Sequence, residues 1–321
     1  MKKIEELKKG LIYVAFGYEY FLMAVYSAQT AKSANPQIVC EIITNVSFDN
    51  KMASDYSPFD SVIFVQSENK FNRFFKTDIL KYASFDIGAY IDCDTEIRGS
   101  LEPVFKFLER YDIALRPNLF FTKKDYEIAP GLHGKFFSSW NSGVIFFRKN
   151  DRTAEFFKKW NEIYKKEEKN IDEPALACAV FSTPDLRLLS LNALWNTFMG
   201  EHVKIRNLKG DSLRWLNNTV IWHYRKPETW PYIAPEIYKI HKQIRNYITG
   251  SADSEKKEID NTEMRYKIFS LPIYRFVYNR PVFKKIFFIT LRILVNLKII
   301  RDFNLKRGKS AYGSNYATIK N

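Results

Sequence analysis

Cysteine, glycine and proline are scarce in this sequence. Its 321 residues include three cysteines, Cys40, Cys93 and Cys178, which are too few and too scattered for a disulfide framework or a C-x-x-C zinc site. Only 12 glycines and 12 prolines accompany 46% hydrophobic and 16% aromatic residues, which excludes collagen-like and disordered chains. The sequence also lacks a Walker loop and a G-x-G-x-x-G segment, so kinase and dehydrogenase functions have little support. We expect a folded protein of a reducing compartment.

Long hydrophobic runs are missing as well. The most apolar stretch, 286–300, is interrupted by Arg292, Asn296 and Lys298, and a membrane-spanning helix needs about 18 consecutive apolar residues. Residues 1–10 mix lysines with glutamates and lack the pattern of a secretory signal peptide. The sequence therefore predicts a cytoplasmic protein without a spanning helix.

Acidic residues are almost absent from the C-terminal segment. Residues 264–321 hold 13 Lys and Arg but a single acidic residue, Asp302, so most of the net charge of +14 lies there. The body of the protein is close to neutral, unlike a nucleic-acid-binding domain, whose basic residues cover its folded surface. We expect no nucleic-acid partner, and the basic segment needs its own explanation.

Hydrophobic periodicity predicts alternating strands and helices. Short apolar, β-branched runs predict strands at 11–16, 38–44, 61–65, 86–91, 112–116 and 140–148. Helical spacing predicts helices at 20–34, 71–83, 102–109, 151–166 and 172–181. This alternation is typical of an α/β fold with a mostly parallel sheet. We predict a catalytic domain over 1–249, a polar linker over 250–263 and a helical, basic and aromatic tail over 264–321.

Two aspartates, Asp92 and Asp94, follow the apolar strand predicted at 86–91. Residues two apart on extended backbone point to the same side. Ligands of open α/β sheets lie beyond the carboxyl ends of the strands, and carboxylate oxygens suit Mg²⁺ or Mn²⁺, which neutralise diphosphates. Such a pair is a weak motif by itself, because a solvated strand end explains it equally well.

The surroundings of this pair resemble the metal-dependent nucleotide-sugar transferases of the GT-A fold, especially glycosyltransferase family 8 and its bacterial relatives. The segments that carry the resemblance follow one another in order over roughly residues 11–235. They are 12–17 (IYVAFG), 76–84, 90–95 (YIDCDT), 140–147 (WNSGVIFF), 172–176 (DEPAL), 194–196 (LWN) and 222–227 (WHYRKP).

The resemblance implies a GT-A fold and a metal site. Asp92 and Asp94 are expected to hold Mn²⁺ or Mg²⁺ against the diphosphate of the donor, and His223 is expected to be the third protein ligand. The alternative for His223 is an ordinary histidine at a strand end. The implied donor-binding residues are Ala15, Phe16, Gly17, Tyr18, Lys76, Lys81, Asp92, Cys93, Asp94, Ser142, Gly143 and Lys226. Solvent-exposed positions remain an alternative for Lys76 and Lys81.

The resemblance also implies catalytic residues. Asn141 matches the segment near the donor sugar, where its amide can bind hydroxyl groups. Asp172 and Glu173 match an acidic segment that often reads Asp-Gln in the family, so this sequence departs at Glu173. Either carboxylate could accept the proton of the acceptor hydroxyl in an inverting enzyme, or Asp172 could simply cap a helix. The family 8 pattern favours retention of configuration.

These observations predict a glycosyltransferase that moves a hexose from a UDP-sugar to a hydroxyl of a glycan or glycolipid acceptor. The acceptor expected first is a precursor of surface polysaccharide or lipopolysaccharide. A sugar-nucleotide-binding or scaffold protein of the same fold, without catalysis, is the alternative. Aromatic and aliphatic residues alternate with cations over 275–307, which favours a helix lying on an anionic membrane surface. Packing of this helix on the catalytic domain or on a partner is the alternative, and nucleic-acid binding is disfavoured because the segment is more apolar than phosphate contacts need.

Overall fold

The structure is a computed structural model. It describes residues 7–66, 72–118, 127–129, 132–133, 139–167, 172–198, 218–224, 233–249, 253–278 and parts of 280–290.

A seven-stranded sheet forms the centre of the described fold. Its strands are, in spatial order, β10 (Leu188–Ser190), β6 (Ile113–Pro117), β9 (Trp140–Arg148), β4 (Ile87–Ile91), β1 (Lys9–Ala15), β2 (Val39–Thr44) and β3 (Ser61–Phe64). Neighbouring strands are parallel except at β9, which runs antiparallel to both β4 and β6. This confirms the predicted α/β fold with a mixed, mostly parallel sheet.

Helices cover both faces of this sheet, which explains the continuous apolar sequence of β1. Leu11 and Tyr13 pack into one hydrophobic core, whereas Ile12 and Val14 pack into the other. The described helices are α1 (Tyr18–Ala34), α2 (Asn50–Asp55), α3 (Asn72–Lys76), α4 (Glu102–Phe107), α5 (Asp151–Glu167), α6 (Glu173–Phe181), α7 (Ala234–Ile244), α8 (Asp253–Phe269) and α9 (Pro272–Tyr278). A strand buried on both faces has no polar alternation, as observed here.

The helix predicted over 71–83 is shorter than expected. Helix α3 ends at Lys76, and a separate 3₁₀ turn follows over Ile79–Lys81. Lys76 and Lys81 therefore lie on separate elements.

Short strands that the sequence did not predict form two further sheets. In the first, β12 (Ile221–His223) pairs with β11 (Thr197–Phe198) and, antiparallel, with β5 (Thr95–Ile97). The second is the hairpin of β7 (Glu127–Ala129) and β8 (Leu132–His133). The register of the first sheet places His223 opposite Thr95, next to the two aspartates.

The strand directions bring the predicted site segments to one edge of the central sheet. The parallel strands β1 and β4 both end there, so residues 15–18 lie beside residues 92–94. Strand β9 is antiparallel and therefore begins at the same edge, where the Asp92 amide donates a hydrogen bond of 2.7 Å to the Gly143 carbonyl. Topology thus assembles the site from segments far apart in sequence.

The polar linker predicted over 250–263 is wrong from Asp253 onward, because these residues begin helix α8. This helix packs against α1 and α7. Its buried Arg265 contacts both carboxylate oxygens of Glu19 at 2.6 Å. The error has a physical reason: α8 docks through charged residues as well as apolar ones, so its composition resembles that of a solvated segment.

The described part of the basic tail is helical, as predicted. Tyr274 and Val277 of α9 are buried. Several large apolar side chains between 271 and 289 are exposed instead: Leu271, Ile273, Phe276, Val282, Phe283, Ile286 and Ile289. Among the described helices, none is long and apolar enough to cross a bilayer.

A buried carboxylate, that of Asp112, joins three elements at the opposite end of β6. It accepts hydrogen bonds from Asn150 at 2.9 Å, from Arg152 at 2.7 Å and from Arg187 at 2.9 Å. Burial alone would raise its pKa, but the hydrogen bonds from Arg152 and Arg187 hold the pKa of Asp112 well below its usual value.

We expect Asp112→Asn to lower the free energy of unfolding by about 2 kcal/mol at pH 7, because the two arginines lose an ionised partner. A carboxyl whose pKa is lowered in the folded state stabilises the protein fully above its unfolded pKa of about 3.9. The difference between wild type and variant should therefore shrink as the pH falls below about 4. Urea unfolding at pH 7 and pH 3 measures it, and an equal difference at both values would contradict this account.

Candidate metal and sugar-nucleotide site

The three predicted metal ligands form one cluster at the sheet edge. One ligand atom from each of Asp92, Asp94 and His223 lies within 4.8 Å of the others. His223 Nε2 is 3.1 Å from Asp94 Oδ1 and 3.7 Å from Asp92 Oδ2. Two carboxylate oxygens and an imidazole nitrogen this close together favour a cation between them.

A chain of buried amides fixes the orientation of the His223 ring. The Gly143 N–H donates to Asn141 Oδ1 at 2.9 Å, which identifies that atom as the amide oxygen. Asn196 Nδ2 donates to the same oxygen at 2.7 Å, so Asn196 Oδ1 accepts from His223 Nδ1 at 2.9 Å. The network therefore assigns a proton to Nδ1, and Nε2 is the ring nitrogen that faces the aspartates.

This donor set fits a divalent metal ion. Two carboxylates and one imidazole nitrogen are ligands that Mn²⁺ accepts readily, and the Asn196 amide supplies the outer hydrogen bond that a metal-binding histidine commonly has. His223 is also held by ring contact with Phe198, with ring centroids 4.5 Å apart.

A buried lysine, Lys76, connects the cluster to helix α6. Its Nζ is 3.4 Å from Asp92 Oδ1, 3.0 Å from Asp172 Oδ2 and 2.9 Å from Ser142 Oγ. Burial lowers the pKa of Lys76, but the charges of Asp172 and Asp92 more than compensate, so the pKa is raised overall. Lys76 therefore stays charged at neutral pH. Lys76, one of the two lysines predicted to reach the donor, thus lies beside the metal cluster, and its role toward the donor stays a prediction.

Asp172 is buried beside this lysine at the start of α6, where its side chain makes no capping hydrogen bond. Burial would raise its pKa, but Lys76 and then Arg73, whose Nε is 3.9 Å from Asp172 Oδ1, lower it to about 2. The carboxylate is thus a fixed negative charge at neutral pH. Such a group is a weak proton acceptor, because a general base works best with a pKa near the working pH.

Asn141 and Gly143, at the start of β9, contact residues of the metal cluster and of helix α6. Asn141 Nδ2 donates to Glu173 Oε1 at 2.8 Å, which joins the second predicted carboxylate to the amide chain. A Cβ atom added to Gly143 would lie 2.4 Å from His223 Cε1 and 2.6 Å from Asp92 Oδ2. A side chain at this position is therefore incompatible with the cluster.

The predicted nucleotide-binding turn lies beside the cluster, and its side chains face inward. Ala15 and Phe16 are fully buried, and Phe16 packs on Phe75 with ring centroids 5.3 Å apart. Gly17 has φ of 83°, a conformation that glycine adopts without strain. The hydroxyl of Tyr18 lies 3.1 Å from His241 Nδ1 of α7. What the turn offers a ligand is therefore mainly its backbone.

Among the described residues, the structure shows no hydrogen bond or ion pair of two predicted donor-binding side chains, those of Lys81 and Cys93, with the metal ligands, and a third, Lys226, is not described. The exposed ammonium group of Lys81 pairs with Asp78, and among the described residues no contact joins it to the metal cluster. Cys93 is buried and its Sγ lies 3.3 Å from the Val14 carbonyl, so its side chain faces the core. Lys226 lies outside the described residues.

Sequence reasoning assigned no role to two residues that support the cluster. Asn196, in one of the segments that carry the resemblance, orients His223. Buried Arg116 donates to the Asn196 carbonyl and lies over the ring of Phe198, with 5.2 Å between its guanidinium carbon and the ring centroid. The segment Leu194-Trp-Asn196 is a sequence signal for Asn196, and the sequence holds none for the role of Arg116.

Known proteins share this fold and part of the sequence pattern. Residues 67–209 match the sequence profile of the nucleotide-diphospho-sugar transferase family. The structure superposes on the galactosyltransferase LgtC in complex with donor and acceptor sugar analogues, with a TM-score of 0.51 and 16% identity over 78% of this chain and 99% of that chain. It also superposes on the bifunctional glycosyltransferase WbbM, with a TM-score of 0.51 and 14% identity over 82% of this chain and 53% of that chain.

A third structural relative is the glycosyltransferase GlyE of Streptococcus pneumoniae TIGR4, with a TM-score of 0.50 and 14% identity over 86% of this chain and 64% of that chain. No curated protein sequence gives a significant match. The structural similarities establish the GT-A fold of the glycosyltransferases. Together with the sequence-profile match, they confirm the resemblance found in the sequence and support a transferase enzyme.

Proposed function

We propose that this protein is a metal-dependent glycosyltransferase that moves a hexose from a UDP-sugar to a hydroxyl of a glycan or glycolipid, with retention of configuration. The observation that carries the proposal is the cluster of Asp92, Asp94 and His223 at the sheet edge beside the β1–α1 turn. A divalent ion bound there would neutralise charge on the leaving diphosphate.

The protein's own residues have separable roles in this proposal. The backbone of residues 15–18 binds the nucleotide, and Ser142 and Asn141 bind hydroxyls of the donor sugar. Lys76 adds a permanent positive charge next to Asp92, which stabilises negative charge on the diphosphate as it leaves. Its ion pair with Asp172 keeps the ammonium group oriented toward the cluster.

The low pKa of Asp172 and its ion pair with Lys76 support the proposed retention of configuration. An inverting enzyme needs a carboxylate base, and a carboxylate with a pKa of about 2 that is engaged by Lys76 is poorly suited to accept a proton. Glu173 is held by Asn141, and we assign it to positioning of the donor sugar.

Release of nucleoside diphosphate from a panel of sugar nucleotides, with Mn²⁺, Mg²⁺ or a chelator, tests the proposal. Slow hydrolysis of one UDP-sugar that the chelator abolishes is the expected result. Donor binding without turnover, even when candidate acceptors are added, would instead favour the non-catalytic sugar-nucleotide-binding protein. If no sugar nucleotide binds, both readings fail.

The exposed apolar residues of the tail support a proposed membrane location. Phe276, Phe283 and Ile286 are each at least half exposed, and cations such as Arg280 lie among them. Apolar groups that enter the headgroup region and cations that face anionic lipids would together hold the protein on the cytoplasmic face of the inner membrane. A lipid-linked acceptor is then within reach.

We expect the protein to sediment with vesicles that contain phosphatidylglycerol and to bind neutral vesicles more weakly. Phe276→Glu should weaken this binding about tenfold, because it replaces an inserted ring by a charge that anionic lipids repel. Phe107→Glu is the matched control, since Phe107 is 54% exposed and Phe276 is 55% exposed. Equal losses in the two variants would contradict a membrane role for the tail.

A further inference from the structure

A carboxylate from the C-terminal helix α8 reaches the turn that begins helix α1. Glu258 Oε1 accepts a hydrogen bond of 2.9 Å from the Tyr18 N–H. The first N–H groups of a helix have no partner within the helix, and a side chain just before the helix commonly binds one of them. Gly17 occupies that position and has no side chain to do so. A residue 240 positions away performs this task instead.

Two side chains from elsewhere in the chain bind the backbone of this turn. The Gly17 N–H donates to Asn45 Oδ1 at 2.8 Å, so Asn45 and Glu258 bind successive amides of the turn. A Cβ on residue 17 would lie 2.6 Å from Glu258 Oε1, which shows how closely the carboxylate approaches the backbone. Positive φ and this approach both require glycine at position 17.

Strong contacts fix α8 in place. Arg265, two turns beyond Glu258, forms the buried ion pair with Glu19 of α1. His241 of α7 contacts Glu263 at 3.4 Å and the Tyr18 hydroxyl at 3.1 Å. Because α8 is anchored to α1 itself, the Glu258 carboxylate has little freedom to leave the turn.

We infer that Glu258 is a positioning residue for the donor nucleotide: helix α8 holds the backbone of the Gly17–Tyr18 turn in its binding conformation. This inference rests on the proposed function, in which that turn binds the nucleotide. It links donor binding to the C-terminal helices, because the last residues of α8, 264–269, already belong to the tail. The family profile match ends at residue 209, so Glu258 lies outside it.

The test compares Glu258→Ala, Glu258→Gln and a matched control, Glu255→Gln, which removes the same charge from an exposed position of α8. Two quantities are measured: hydrogen exchange of the amides at 17–21 in the free protein, and the Kd of UDP with Mn²⁺. Glu258→Ala should speed exchange at Tyr18 and raise the Kd and the donor KM about tenfold, with kcat nearly unchanged. Glu258→Gln keeps a carbonyl acceptor and should restore most of the affinity. The control should behave as wild type.

Unchanged exchange in Glu258→Ala would overturn the inference, as would faster exchange with unchanged nucleotide affinity. A fall in kcat at constant donor affinity would also overturn it, since a general structural defect then explains the loss. If wild type binds no nucleoside diphosphate, the proposed function fails, and the exchange result alone decides whether Glu258 orders the turn. If Glu258→Ala does not fold, Glu258→Asp is tested in its place, because aspartate is one methylene shorter and withdraws the carboxylate from the Tyr18 N–H.

Discussion

Asp94→Asn is expected to reduce metal-dependent turnover about a hundredfold to a thousandfold, the range seen when a group that stabilises transition-state charge is removed. The asparagine keeps the shape of the side chain but loses the charge that faces His223 Nε2 at 3.1 Å. We chose Asp94 over Asp92 because Asp92 also contacts Lys76 and Tyr90, so its replacement disturbs more than the metal site.

The stability of this variant separates loss of metal from loss of fold. In the free protein Asp92 and Asp94 repel each other, so neutralising one of them should leave the Tm unchanged or slightly higher. The increase in Tm that Mn²⁺ gives to wild type should disappear in the variant. Free Mn²⁺ measured by electron paramagnetic resonance gives the affinity directly. Asp185→Asn, at an exposed turn position, is the control for charge. Retention of Mn²⁺ affinity in Asp94→Asn would remove Asp94 from the metal site.

Local patterns predicted the parts of the fold that depend on local physics. The buried strand before Asp92 and the spacing of the two aspartates are properties of a few consecutive residues, and the structure has both. Local patterns could not locate His223 beside them; only the family resemblance predicted it as the third ligand. Its position follows from the pairing of β12 with β5, two three-residue strands that carry too little pattern to be predicted.

The amide chain behind His223 shows a different limit. Asn141 and Asn196 are uncharged and lie in apolar segments, so their pairing leaves no trace in composition or periodicity. Only the tertiary structure shows that one amide orients the next.

The sequence already indicates that the two predicted lysines, Lys76 and Lys81, cannot both face the site. Lys76 and Lys81 are five positions apart, which corresponds to about 140° around a helix axis at 3.6 residues per turn. Even a regular helix would therefore have directed them to different sides. The structure directs Lys76 into the site and leaves Lys81 exposed.

Gly143→Ala is expected to abolish Mn²⁺ binding and turnover while the protein stays folded. The added methyl group would meet His223 Cε1 at 2.4 Å and Asp92 Oδ2 at 2.6 Å, distances that force both ligands to move. Both atoms belong to side chains and not to the backbone, so the shift falls on the two ligands and their hydrogen bonds and leaves the strand pairing in place. A metal site does not tolerate such a shift, because its ligands must stay within a few tenths of an ångström of their positions.

Gly99→Ala is the matched control for this substitution, because the nearest atom to its added Cβ is Val220 Cγ1 at 3.4 Å, an ordinary contact. Gly88→Ala would be unsuitable, since its Cβ would lie 1.9 Å from the backbone oxygen of Gly10 and would disrupt the sheet itself. Unchanged far-UV circular dichroism with loss of the Mn²⁺-induced rise in Tm is therefore the signature to seek. If Gly143→Ala still bound Mn²⁺ with wild-type affinity, His223 and Asp92 could not both be ligands in the arrangement described here.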